Sequence, residues 1–135
     1  MAFILWTPKL SVGIKRIDDQ HKEFITLINQ SQKFAETGKS MRFNKSLTEL
    51  LDFARVHFST EEDIFNKYKY PFAQEHNIEH FKLTEKVINF YDRAKRDENI
   101  GEEFLLFLKD WLENHLKTHD QKYAKYFKEN KIKVE

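Results

Sequence analysis

Four stretches of this chain repeat apolar residues at intervals of three and four, and very little interrupts them. The first carries Ile17, His21, Phe24 and Ile28 on one side, and the second Phe43, Leu47, Leu50, Ala54, His57 and Glu61. The third aligns His76, His80, Leu83, Val87 and Phe90 or Tyr91, and the fourth Phe104, Leu108, Trp111 and His115. Three glycines and two prolines in 135 residues are too few for the turns of a sandwich or barrel. The expectation is an all-α chain in a single domain, 1–135, with helices over residues 18–37, 41–67, 72–96 and 101–128 behind an N-terminal arm. "DDQH" supplies a helix start, Gly38 a stop, Pro71 disfavours helix at Tyr70, and "RDENIG" marks the last break. Short connections between four helices predict an up-down-up-down antiparallel four-helix bundle.

The remaining composition excludes several functions. Lysine plus arginine (23) nearly balances aspartate plus glutamate (22), which argues against a nucleic-acid partner. With no cysteine there are no disulfides, thiolate zinc sites or iron–sulfur clusters. The start, "MAFILWTPKL", reads as neither signal peptide nor membrane span, so a cytoplasmic protein is expected.

Histidine placement points to metal. His57 with Glu61, and His76 with His80, stand four apart, so each pair shares a helix face. In an antiparallel bundle, residues equidistant from a loop lie at one height. His21 and His57 lie about eighteen residues either side of a turn near Lys39, and the other pairs reach the same level within about two turns. One such pair alone is more simply a solvated or hydrogen-bonded histidine. Four helices delivering such residues to one level reverse those odds, and imidazole with carboxylate suits first-row transition metals. On the fourth helix, His119 stands at the ideal spacing from His115. Asp120, five residues on, stands about 140° around a regular helix. Choosing Asp120 therefore requires an irregular or ending helix near Thr118, with His119 facing solvent or standing behind the ligands.

These segments, "IDDQH", "HFSTEE", "YPFAQEHNIEHF" and "WLENHLKTHDQKY", resemble the hemerythrin signature, H…HxxxE…HxxxH…HxxxxD with a tryptophan four residues before the last histidine. The match runs along nearly the whole chain and fills every ligand position. The resemblance implies two non-haem iron ions bridged by an oxo or hydroxo group. His76, His80 and His115 would bind one iron and His21 and His57 the other, with Glu61 and Asp120 bridging. Two carboxylates and the solvent bridge give each iron three oxygens, so three histidines complete one ion and two leave the other a position short. The implied function is reversible dioxygen binding for oxygen storage, delivery or scavenging, behind a dry wall of Phe24, Ile28, Phe58, Trp111 and Leu112. The implied partners are dioxygen and an unidentified oxygen-accepting protein, with no membrane and no nucleic acid.

Two alternatives differ in class: an oxygen or redox sensing module, and a di-iron oxidase of the ferritin-like type. The latter needs Glu-x-x-His on two helices. Here Asp18, Ala54, Ala73, Asn77, Leu112 and Leu116 stand three before the histidines, and none is glutamate. The HExxH motif of zinc hydrolases is also absent. A binding protein rather than an enzyme is therefore expected.

Overall fold

Helix α1 runs Lys15–Glu36, starting three residues before Asp18, where the cap was expected, and no side chain caps its first N–H groups. From the first turn the Asp18 carboxylate instead accepts hydrogen bonds from the Val12 backbone N–H (2.9 Å) and the Ser11 hydroxyl, tying the preceding arm to the helix. This computed structural model describes residues 3–38 and 40–134. The expected turn at Lys39 and the chain ends at 1, 2 and 135 lie outside them. Helix α2 spans Ser40–Tyr68, α3 Ala73–Lys95 and α4 Gly101–His115. A π-helical turn, Leu116–Asp120, joins α4 to α5, Gln121–Glu129, so the last two helices form one interrupted rod.

Helix ends are made largely without glycine. Lys69, Asp97 and Lys131 adopt φ of 55°, 63° and 55°, the left-handed region. After each, a backbone N–H closes back to a carbonyl five residues earlier: Tyr70 to Phe65, Glu98 to Arg93 and Ile132 to Phe127. Pro71 thus follows a break already made by Lys69. Gly101 opens α4 close against α1, where a Cβ would stand 3.4 Å from Ala35 Cβ, about van der Waals contact.

The helices pack as a bundle, α1 against α2 and α4, and α2 against α3. Phe90 of α3 meets Phe104 and Phe107 of α4 at ring separations of 5.2 and 5.6 Å. The N-terminal arm is held by a reciprocal pair: Ile4 N–H donates to Asn29 Oδ1 (2.9 Å), and Asn29 Nδ2 donates to Ile4 O (3.0 Å). No strand occurs among the described residues, and no described helix is long and apolar enough to cross a membrane.

The apolar interior is divided in two. One cluster holds Phe24, Leu50, Phe58, Leu83, Leu108, Leu112 and Leu116 among others; the second gathers Ile17, Ile64, Phe65, Tyr70, Tyr123 and Phe127. Along α1, Ile17 belongs to the second and Phe24 to the first; along α2, Phe58 and Ile64 divide the same way. The polar residues between them, His21 and Glu61, occupy the level where the clusters meet.

Candidate metal centre

All seven side chains expected as ligands are buried, and they converge at that level. His21, His57, Glu61, His76, His80 and His115 are each at most 4% exposed, and Asp120 is fully enclosed. The π turn brings Asp120 inward. It accommodates one extra residue within the helical rod, so Asp120 faces the same interior as His115 despite the five-residue spacing. The irregularity expected near Thr118 is present, and the helix continues beyond it.

The geometry splits the imidazoles into two groups around two carboxylates. Asp120 Oδ2 lies 3.2 Å from His21 Nε2, while Oδ1 lies 3.2 Å from His76 Nε2 and 3.1 Å from His115 Nε2. One carboxylate therefore turns an oxygen to each group. Glu61 does so with a single oxygen: Oε1 lies 3.3 Å from His57, 3.5 Å from His76 and 3.1 Å from His80. His21 and His57 meet at 3.1 Å between their Nε2 atoms.

Most of these approaches lack hydrogen-bond directionality. Glu61 Oε1 and Oε2, both oxygens of Asp120, Nε2 of His76, and both nitrogens of His80 and His115 are buried without a hydrogen-bond partner. Each such orphan costs about 1–3 kcal/mol in a protein interior, so this many would not persist unrelieved. Separations of 3.1–3.5 Å match neighbouring ligands on a cation, which stand about 3.0 Å apart for bonds near 2.1 Å at right angles. The donor set fits a pair of divalent cations. Ligand atoms of Glu61, His76, His80 and His115 cluster within 4.8 Å of one another, as do those of His21, His57 and Glu61.

Without cations, the imidazoles and carboxylates shift one another's protonation, and His21 and His76 are both raised. Burial depresses the His76 imidazole, but Asp120 and Glu61 outweigh it and raise its pKa to about 9. Burial lowers His80 to about 4 despite Glu61, because the charge on His76 opposes a second proton. Burial and mutual repulsion would raise the carboxyl groups, yet the imidazoles hold Glu61 and Asp120 well below the usual range. Burial pushes the Tyr123 phenol well up, and both carboxylates reinforce the shift.

Aromatic rings brace the imidazoles. Phe58 stacks on His80 at 3.8 Å, Trp111 on His115 at 4.4 Å, and Phe65 meets His76 edge-on at 5.0 Å. His119 is half-buried behind this layer, with its ring 5.4 Å from His115. Of the five residues expected as a dry wall, Phe24, Ile28, Phe58 and Leu112 are buried and Trp111 is half-buried. Phe24 and Phe58 also line a small hollow with Leu50, Ala54, Leu83 and Leu108, offering about 10 Å³ to the centre of a water-sized sphere. Ile28, Trp111 and Leu112 lie outside that lining. A larger concavity, about 780 Å³, opens between the end of α1 and the start of α4, and none of the seven expected ligands lines it.

Sequence reasoning missed Gln20, whose side chain contacts His57, and Tyr123, whose buried hydroxyl lies near both carboxylates. Tyr123 stands three residues after Asp120 on the same rod, a legible cue once the π turn is known. Nothing in the spacing singles out Gln20.

Comparison with known proteins agrees with this geometry. The sequence model described as Hemerythrin HHE cation binding domain matches residues 12–127. A bacteriohemerythrin of Stenotrophomonas maltophilia is 30% identical over 124 residues, covering 92% of this chain and 81% of the relative. A bacteriohemerythrin of Methylococcus capsulatus is 30% identical over 126 residues, covering 92% and 96%. A hemerythrin-like protein of Naegleria gruberi is 30% identical over 118 residues, covering 87% and 88%. The crystal structure of a wild-type hemerythrin superposes with a TM-score of 0.86 at 28% identity, covering 91% of this chain and 96% of the other.

Proposed function

Because this chain belongs to the hemerythrin family, we propose that it binds dioxygen reversibly at two non-haem iron ions, for storage, delivery or scavenging in the cytoplasm. His76, His80 and His115 would hold one ion, His21 and His57 the other, and Glu61 and Asp120 both. When bound, the iron pair supplies two electrons and one open coordination position, chemistry no side chain here can offer. The observation that carries the reading is the unequal division of imidazoles about shared carboxylates, with Asp120 turning one oxygen toward each group.

The protein's own share is positioning and exclusion. Burial of seven polar side chains between two apolar clusters removes competing water and keeps the donors aimed inward. Phe58, flat against His80, fixes that ring and contributes an apolar wall. The hollow beside Phe58 and Phe24 is no larger than one small molecule and is lined almost wholly by carbon, so it stays dry. The hydroxyl in that lining, Thr84, donates to the His80 carbonyl (3.0 Å) and so has no proton to lend. Such surroundings favour release of dioxygen over its protonation and loss as peroxide. The charge balance fits: two ferrous ions carry +4, and the two carboxylates with a bridging hydroxide offset −3.

The test is anaerobic reconstitution with ferrous iron, then alternating air and argon under an absorption spectrometer. A visible band that rises in air and falls in argon over repeated cycles is expected. Permanent colour with peroxide released to solution would replace this reading with an oxidase.

A further inference from the structure

We propose that Gln20 is a positioning residue that locks the His57 imidazole in its Nδ1–H tautomer and so presents the Nε2 lone pair to the metal pair. Proton bookkeeping in one short chain of hydrogen bonds carries the inference. The Thr60 hydroxyl donates its single proton to the Val56 carbonyl, at 2.9 Å. Toward Gln20 it can therefore only accept, which it does from Nε2 at 3.1 Å. That commits the amide: its nitrogen faces Thr60, and its oxygen faces His57 Nδ1 at 2.7 Å. An amide oxygen only accepts, so Nδ1 must carry a proton, and in the neutral imidazole that a metal requires Nε2 is then bare. Nε2 is the atom that points inward, 3.1 Å from His21 Nε2 and 3.3 Å from Glu61 Oε1.

The position of this bond matters as much as its length. Nδ1 of His21, His80 and His115 is buried without any hydrogen-bond partner, so no side chain selects the tautomer of those rings. His57 belongs to the pair of imidazoles that would hold the ion with the vacant position; there, with fewer ligands, a misdirected ring costs most. Gln20 also precedes His21, so one turn of α1 supplies a ligand and the brace for a second ligand on α2. A neutral amide suits this task because it orients the ring without adding negative charge beside a dioxygen site. Partners that orient metal-bound imidazoles commonly change metal affinity 10–100-fold when removed.

This inference rests on the metal-centre reading but not on dioxygen, and its test separates the two. In metal-free protein labelled with ¹⁵N, long-range nitrogen–proton correlations identify which ring nitrogen of His57 bears the proton; the native chain is expected to show Nδ1–H. Gln20→Met, nearly isosteric and unable to accept, should populate both tautomers. Zinc, followed by chelator competition, should then show one of two bound ions weakened about 10–100-fold. Thr60→Val frees the amide to turn over and should mix the tautomers likewise. Thr60→Ser, which keeps the hydroxyl, should restore both the native spectrum and the native affinity. Circular dichroism confirms folding, and the Thr60 pair carries the test if Gln20→Met does not fold. An Nε2–H tautomer in the native protein, or unchanged tautomer and zinc affinity in folded Gln20→Met and Thr60→Val, overturns the proposal. Weakened zinc in these variants, alongside a native iron form that never binds dioxygen reversibly, sinks the dioxygen reading and leaves Gln20 in place.

Discussion

Removing one residue from a buried metal site ordinarily destroys it, yet deletion of Thr118 should leave this one intact. In a regular helix, five residues turn about 500°, placing Asp120 roughly 140° from His115; four turn about 400°, leaving about 40°. At the radius of a side chain that 100° difference is roughly 8 Å. Asp120 Oδ1 nevertheless lies 3.1 Å from His115 Nε2, because the π turn takes up the extra residue. Deleting exposed Thr118 converts the segment to ordinary helix and keeps Asp120, Tyr123 and Phe127 on their present face. Deleting Glu79, by contrast, has no bulge to absorb it. Everything after it on α3 turns by about 100°, removing buried Leu83, Val87 and Phe90 from the core. Each is worth about 1.5–3 kcal/mol, together about 5–9 kcal/mol, which is comparable to the whole stability of such a domain. The assay is metal equivalents per chain after ferrous or zinc reconstitution, with urea unfolding of the metal-free forms. The Thr118 deletion should hold two ions and unfold at or above the native midpoint, while the Glu79 deletion should not fold. A folded Thr118 deletion holding fewer than two ions refutes the reasoning.

Phe58→Ala should cost about 3–4 kcal/mol in urea unfolding, because the ring is buried and lies flat on His80; the iron form should also lose reversibility within fewer air–argon cycles as water reaches the hollow. Lys69→Gly should stabilise the fold by about 0.5–1 kcal/mol, since glycine removes the left-handed strain but adds freedom to the unfolded chain, and a melting shift of roughly 2–4 °C would show it. Metal-free stability should peak near pH 6.5, read as urea midpoint against pH. His80, lowered to about 4, contributes stability above its unfolded value near 6.5 and loses it as pH falls toward 4. His76, raised to about 9, contributes fully below about 6.5 and loses its share as pH rises through 9. A midpoint that climbs steadily from pH 6.5 to 9 would contradict this.

The helices were legible because the apolar spacing in each stretch is long and regular, and tertiary packing agrees with it at Leu47, Leu83 and Leu108. Helix ends were less so. Asp18 lies inside the first turn and binds the arm rather than capping the helix, and Lys69 and Asp97 adopt a backbone conformation that spacing alone does not reveal in such residues. The clustering of seven polar side chains followed from antiparallel register, a global constraint that local spacing satisfies on every rod. Asp120 was the exception, since its place depends on a local departure from helix periodicity. Gln20 was invisible for a different reason. Its role lies in which proton goes where, and that requires Thr60 and Val56 to be seen together.

The division of the apolar interior bears on how the chain comes apart. Two hydrocarbon blocks, each drawn from several helices, lie either side of a seam of charged and unsatisfied groups. Multivalent cations held there would rivet that seam; without them, the halves would be coupled through the rods and the contacts between imidazoles and carboxylates. Calorimetry would then see a loaded protein melt as one body and an empty one as two loosely joined bodies, so the sharpness of unfolding is itself a gauge of how full the centre is.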